Sequence, residues 1–178
     1  TIRAFDIKQE RVLKTARMYP GLEVACRGDE DVLFEPCDIL VPCALGGVLN
    51  SRTIPKLKAK AICGAANNQL EDPASDGARL VKRGILYAPD FLVNRMGIVG
   101  CADEPMGWLD DDPQVLAHLE HEWEGGVYAL TRKVLSEAKE RGLSSHLVAE
   151  ELADRMSLEH HPMFGHRGAL QARQIFER

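Results

Sequence analysis

The chain reads as an α/β protein: helices interleaved with a parallel sheet, followed by long C-terminal α-helices. Two observations carry that expectation. Apolar runs such as Asp38-Ile39-Leu40-Val41-Pro42 and Ala59 to Cys63 have the composition of strands buried on both faces of a parallel sheet, and they alternate with helical stretches. Beyond Asp112, apolar residues recur at spacings of three and four, the period of a helix with one buried face.

Taken in order, Ile2-Arg3-Ala4-Phe5 reads as a short strand ending at Asp6. A helical stretch follows with Val12, Leu13 and Ala16 on one face, stopped by Pro20-Gly21. Leu22-Glu23-Val24-Ala25 is a second strand candidate, and Asp38 to Pro42 a third. Gly46-Gly47 then leads into a short helix predicted from about Val48 to Leu57. Ala59 to Cys63 is the next strand, Ala74 to Arg83 a helix, and Ile85-Leu86-Tyr87 a strand stopped by Pro89.

In the last third, Asp112-Pro113 is a helix start, with a capping carboxylate and proline at the first helical position. Leu116, Leu119, Trp123, Val127, Leu130, Val134 and Ala138 predict one long amphipathic helix ended by Gly142. Gly125-Gly126 inside it costs about 1 kcal/mol per glycine, which points to close packing or a bend. A further helix is predicted from about Val148 to Leu158, and the tail after His160 is polar.

With 178 residues, 45% of them hydrophobic, the chain is long enough for one core. A formal net charge of -5 without a basic stripe gives nucleic-acid binding no support. No apolar run approaches the roughly 20 residues that cross a bilayer, and the start carries no secretory signal pattern. The five cysteines are odd in number and lack C-x-x-C spacing, which predicts reduced, mostly buried thiols in a cytoplasmic protein. The chain begins with Thr1 in place of Met, consistent with a cut or processed start. His118, His121 and Glu122 are not ordered as a zinc-protease motif and, at 100° per residue, fall opposite the Leu116/Leu119/Trp123 face. They are expected on a solvated surface. His160, His161 and His166 lack ligand partners at useful spacing, so no metal site is expected.

The candidate ligand-facing edge is Gly64-Ala65-Ala66-Asn67-Asn68, with Tyr87-Ala88-Pro89-Asp90-Phe91 and Asn94 beyond it. Small residues let a flat ligand approach the backbone, and each Asn amide offers donors and acceptors to orient it. An Asx turn closing the strand is the alternative for the same amides. Cys43-Ala44-Leu45-Gly46 follows a strand at its carboxyl end, where open α/β sheets bind ligands. Asp6, ending the first strand, either accepts bonds from ribose hydroxyls or caps the next helix in a capping-box pair with Gln9.

From Cys37 to Trp108 the segments CDILVPCALGGVLN, AKAICGAANNQL, RGILYAPDFLVN and ADEPMGW occur in order. They closely resemble the glutamate/leucine/phenylalanine/valine dehydrogenase family, most of all its leucine and phenylalanine branch. The resemblance extends more loosely from about Ile2 to Met156. It implies oxidative deamination of an L-amino acid with hydride transfer to a nicotinamide cofactor, in a symmetric oligomer. By resemblance, Asp6 holds the adenosine ribose and favours NAD over NADP, while Cys43, Ala44 and Leu45 run along the cofactor near the nicotinamide ribose. Asn67 contacts the nicotinamide side, Asn94 faces the cleft, and Ile98 and Cys101 line a pocket suited to an aliphatic or aromatic amino-acid side chain.

The glycine-rich turn expected about 20 residues before the ribose-binding acid would precede Thr1. The expectation is therefore a Rossmann-like parallel sheet lacking its first βα unit. Residues 1–110 would form a partial dinucleotide-binding domain, and 111–178 a helical segment packing back on the cofactor and substrate domains. None of Lys8, Lys14, Lys56, Lys58, Lys60, Lys82, Lys133 and Lys139 matches the family's catalytic lysine motif, so no catalytic residue is assigned and the chain alone is expected to be inactive. Arg95-Met96-Gly97 stands where relatives have small glycine-rich residues. Arg95 would pair with an acidic group or point to solvent. The competing expectations are a catalytically silent subunit or ligand-sensing module, or a stand-alone nucleotide-binding protein. An apolar stripe from Leu116 to Val134 would be left exposed and favour association.

Overall fold

The structure, a computed structural model, describes residues 1–26, 33–104 and 111–158. Strand β1 (Arg3–Asp6), helix α1 (Gln9–Met18) and strand β2 (Glu23–Cys26) form a parallel β-α-β unit, with Arg3 opposite Glu23 and Asp6 opposite Cys26. Strands β3 (Ile39–Leu40), β4 (Ala61–Ile62) and β5 (Leu86–Tyr87) form a second parallel sheet in the order β3-β4-β5. Helix α2 (Pro73–Lys82) joins β4 to β5. Its start obeys local rules: Pro73 occupies the first turn, and the Asp72 carboxylate accepts the Ser75 N–H at 3.3 Å. The chain continues through α3 (Asp90–Val93), α4 (Met96–Asp103), α5 (Pro113–Ala117), α6 (Val127–Arg141) and α7 (Ser145–Ser157).

One core lies between the second sheet and α2, built from Leu49, Ile54, Leu57, Ile62, Leu70, Leu80, Ile85 and Tyr87. Ile62 and Tyr87 are register partners and both point into it. The opposite face is bare: Ile39 is 58% exposed, Leu86 54% and Val41 57%. The expectation that these strands are buried on both faces therefore fails, because no described element covers this side. Covering each such side chain is worth roughly 1.5–3 kcal/mol, so the apolar residues mark a face that is energetically incomplete. The α/β class and the parallel pairing hold, but among the described residues the strands form two separate sheets.

The second core joins α6 and α7 through Leu130, Val134, Ala138, Val148, Ala149 and Leu152, with Leu92 of α3. Gly142 turns the chain between the two helices in a left-handed conformation, φ 65°, and the Ser144 hydroxyl caps α7 by accepting the Leu147 N–H at 3.2 Å. The two cores meet where the buried Ser145 hydroxyl donates to the Tyr87 carbonyl over 2.5 Å.

Two predicted helices take other forms. Over Val48 to Leu57 the chain makes a parallel bridge from Leu49 to Leu70, and only Ile54–Lys56 coils, as a 3-10 turn. Asn50 accounts for this: its side-chain oxygen accepts the N–H groups of Arg52 and Thr53, competing with helical bonding. The long helix from Leu116 to Ala138 is broken into α5 and α6. At Gly126 a Cβ would stand 2.7 Å from the Glu120 carbonyl, and the Val127 N–H donates back to His118 at 2.9 Å. The glycine pair thus permits a fold-back where the apolar spacing predicted continuity.

That break also reverses the expectation for His118, while His121 and Glu122 are exposed as expected. His118 is buried, 3% exposed, with its ring edge-on to Trp123 at 4.8 Å between centroids. His121 stacks on Tyr128 at 4.2 Å. Of the apolar stripe, Leu130 and Val134 are buried on α7, and only Leu116 and Leu119 remain exposed. The cysteines are a further correction: Cys43, Cys63 and Cys101 are exposed and Cys37 is partly so, since Cys43 and Cys63 sit at the open edge of the sheet and Cys101 on the outer side of α4. The polar tail after His160 lies outside the described residues. No helix among the described residues is long and apolar enough to cross a membrane.

Candidate functional site

The carboxyl ends of β3 and β4 are continued by two loops that are laced together. The Ala66 N–H donates to the Pro42 carbonyl at 2.9 Å, and the Gly47 N–H to the Asn68 carbonyl at 2.7 Å. This lacing requires glycine. A Cβ on Gly64 would lie 2.2 Å from the Pro42 carbonyl oxygen, and one on Gly46 2.7 Å from that of Asn67. The small residues here admit the protein's own backbone, a correction to the expectation that Gly64 opens room for a ligand. Cys43, Ala44 and Leu45 are exposed on the first loop, Leu45 by 75%.

On the second loop, Asn68 adopts the left-handed conformation, φ 52°, which asparagine tolerates better than most residues. Its N–H donates to Oδ2 of Asp90 at 2.7 Å. Oδ1 of the same carboxylate accepts the Tyr87 phenol at 2.9 Å. Asp90 is 6% exposed, so these are charge-assisted bonds in a poorly hydrated setting. Burial, reinforced by the neighbouring Asp90 charge, holds the Tyr87 phenol protonated well above the usual tyrosine range. Gln69 completes the brace, donating through Nε2 to the carbonyls of Gly64 at 2.8 Å and Ala66 at 2.9 Å. Sequence reasoning assigned no role to Asp90 or Gln69. The available signal was an acid directly after Tyr87-Ala88-Pro89, between an apolar strand and an apolar helix.

Held this way, Asn67 meets Asn94: Nδ2 of Asn94 donates to Oδ1 of Asn67 at 2.6 Å and to the Ala65 carbonyl at 3.3 Å. The Asn67 amide bonds another side chain, not the backbone, as an Asx turn would require. The predicted residues Cys43, Ala44, Leu45, Asn67 and Asn94 therefore gather at one sheet edge. Ile98 and Cys101 are exposed on α4, which begins two residues after Asn94, and Ile98 is 77% exposed.

Arg95 does not point to solvent, and among the described residues it has no acidic partner. Its guanidinium donates to the Gly125 carbonyl and lies 6.0 Å from the Trp123 ring centroid. Burial lowers its pKa. Burial likewise raises the Cys63 thiol, with a smaller push from Cys43 nearby.

Asp6 lies apart, on the β1–β2 sheet. It is not the helix cap expected of a capping box, since Lys8 holds that position. Its Oδ1 instead accepts the Lys8 N–H at 2.8 Å, a turn two residues long, and Arg11 approaches Oδ2 at 3.4 Å. The Lys8 amide and then the Arg11 guanidinium hold its carboxyl below the usual carboxylate range. Among the described residues no three His, Cys, Asp or Glu side chains gather to hold a metal ion.

The chain is similar to known proteins in sequence and in fold. The chain is 36% identical to valine dehydrogenase of Streptomyces albus over 154 residues, 86% of this chain and 40% of that protein. It is 38% identical to leucine dehydrogenase of Bacillus subtilis over 149 residues, 84% of this chain and 38% of that one. The crystal structure of L-tryptophan dehydrogenase from Nostoc punctiforme superimposes with a TM-score of 0.74 at 33% identity, covering 86% of this chain and 43% of that one. The chain thus spans about two fifths of the length of the relatives it matches. Residues 3–159 match the sequence model of the glutamate/leucine/phenylalanine/valine dehydrogenases, and the chain belongs to that family.

Proposed function

We propose that this chain is the C-terminal, NAD-binding part of an L-amino-acid dehydrogenase that deaminates a branched-chain or aromatic amino acid to its 2-oxo acid. The observation that carries the proposal is the Asn67–Asn94 amide pair at the carboxyl edge of a parallel sheet. Such edges are where open α/β sheets take ligands. Among the described residues, Nδ2 of Asn67 and Oδ1 of Asn94 have no protein partner. Together they present a donor and an acceptor, the complement of a planar carboxamide such as nicotinamide carries. Orienting that ring needs no titratable group, which suits a site built of amides.

The two sheets support the missing first βα unit of a Rossmann-like domain. Parallel sheets are covered on both faces, and here the face bearing Ile39, Val41 and Leu86 is open. A strand between β1 and β3 would join the sheets, and its helix would cover that face. In this reading, residues 1–110 belong to the dinucleotide-binding domain and 111–178 pack back on it and on the substrate domain. Asp6 takes the adenosine ribose, and Cys43, Ala44 and Leu45 follow the nicotinamide ribose. Ile98 and Cys101 line the amino-acid side-chain pocket. The catalytic lysines come from the rest of the protein, which works as a cytoplasmic homo-oligomer.

The test is NADH titration of the chain by fluorescence, followed by assay of the longer protein with L-leucine, L-valine and L-phenylalanine. Saturable NADH binding weakened about 10-fold in Asn94→Ala supports the proposal. Its absence in both proteins overturns it. One observation favours a second reading, a catalytically silent subunit: Arg95, where relatives are small, is locked onto Gly125 beside the cleft-facing Asn94. That reading expects the longer protein to be inactive on all three amino acids and to associate with an active dehydrogenase.

A further inference from the structure

We propose that Cys43 and Cys63 form a two-thiolate site for a soft monovalent cation, with Cu(I) as the ion that fits. The inference goes beyond the nucleotide reading given above and does not depend on it.

The strands place the two side chains. β3 and β4 run parallel with Leu40 opposite Ile62, and the Cys63 N–H donates to the Leu40 carbonyl at 3.0 Å. Alternation sorts the neighbouring residues between the two faces. Leu40 packs against the core and Pro42 is buried, whereas Ile39, Val41 and Cys43 are exposed. On the other strand Ile62 and Gly64 are buried, and Cys63 between them is exposed. Both thiols therefore leave the same bare face of the sheet, at its carboxyl edge. There Cys43 lies close enough for its charge to reach Cys63.

The spacing selects the ligand. Cys63 stands across from Val41, so Cys43 lies one strand over and two residues on, roughly 8 Å away between Cα atoms. A disulfide spans at most about 7 Å without moving the backbone. The backbone here is laced on both sides of Cys43, at Pro42 and at Gly47. An ion bonded to both sulfurs lengthens the bridge by one atom and closes the gap.

Among the described residues no third His, Cys, Asp or Glu joins the pair. A structural Zn²⁺ calls for four ligands, and Mg²⁺ and Ca²⁺ call for oxygen. Two thiolates alone suit a soft ion content with two bonds, which is Cu(I). The step balances: two thiols take up one Cu⁺ and release two protons, and the copper stays monovalent. A cation between the sulfurs also removes the repulsion that two neighbouring thiolates would feel.

The experiment titrates the chain with Cu(I) alone, without oxygen, against a coloured Cu(I) chelator, and reads the bound ion by X-ray absorption. One tightly held ion per chain is expected, with two sulfur neighbours. Cys43→Ser and Cys63→Ser should each weaken binding by about 100-fold or more, because each leaves a single thiol in place of a chelating pair. Cys101→Ser, on α4, should match the parent. The three cysteines are exposed, so their serine variants keep the fold, and circular dichroism checks this. Parental affinity in either Cys43→Ser or Cys63→Ser overturns the inference. So does an equal loss in Cys101→Ser, which would make the uptake a property of any surface thiol.

Discussion

Nδ2 of Asn94 donates to Oδ1 of Asn67 over 2.6 Å, joining residues 27 positions apart across the edge of the sheet. The bond lies near solvent, so its contribution to stability is small and its consequence is orientation. Asn94→Ala is expected to cost less than about 1 kcal/mol in thermal unfolding while weakening NADH binding about 10-fold. Fluorescence titration beside a melting curve separates the two effects. A large loss of stability would instead make the pair a structural clasp.

Asp90→Asn tests the brace beneath that pair. The new amide can still accept the Asn68 N–H through its oxygen, but its NH₂ then faces the Tyr87 hydroxyl, whose proton loses its acceptor. A buried donor left without its acceptor costs about 1–3 kcal/mol. Urea unfolding should show that loss, with the strain focused on the left-handed Asn68.

Tyr87 gives a signed pH dependence. Its folded pKa is raised above the unfolded value of about 10, so its contribution is complete below pH 10 and declines as pH climbs above that value. The parent protein should lose stability on the alkaline side. Tyr87→Phe should flatten that limb, at the expense of the bond to Asp90. Unfolding midpoints between pH 8 and 11 make the comparison.

Two glycines should respond in opposite directions. Gly64→Ala places a methyl 2.2 Å from the Pro42 carbonyl, a backbone atom that cannot yield, and should destabilise by about 3 kcal/mol or abolish folding. At Gly97, inside α4, nothing lies within 4 Å of the added carbon. Gly97→Ala should stabilise by about 0.5–1 kcal/mol through helix propensity. Thermal denaturation of the two variants side by side decides both.

The sequence was informative wherever the signal is local. The Pro20-Gly21 and Pro89 stops mark their boundaries because proline acts within one turn. The amides Asn67 and Asn94 were legible as a pair of candidates, though only the fold shows that they touch. What escaped is non-local. Gly125-Gly126 pointed to close packing or a bend, but the apolar spacing ran through it unbroken, since periodicity is blind to a fold-back. His118 was placed on the surface by that same helical geometry, which ends before it. Asp90 lay inside the candidate stretch without a role of its own, because its partners, Asn68 and Tyr87, are recruited by tertiary packing.

The open face of the second sheet sets how this polypeptide behaves as it folds. Pairing β3 with β4 closes a loop of about 20 residues, and β5 must then find β4 from a similar distance, which makes assembly slow relative to a helical hairpin. The α6–α7 hairpin is stitched by near neighbours and should gain amide protection first, while Ile39, Val41 and Leu86 still offer a sticky surface. In pulse-labelling hydrogen exchange the hairpin amides should protect early and the strand amides late. Emerging from a ribosome, the segment would depend on a prompt neighbour or a chaperone to keep those three side chains from finding one another on separate molecules.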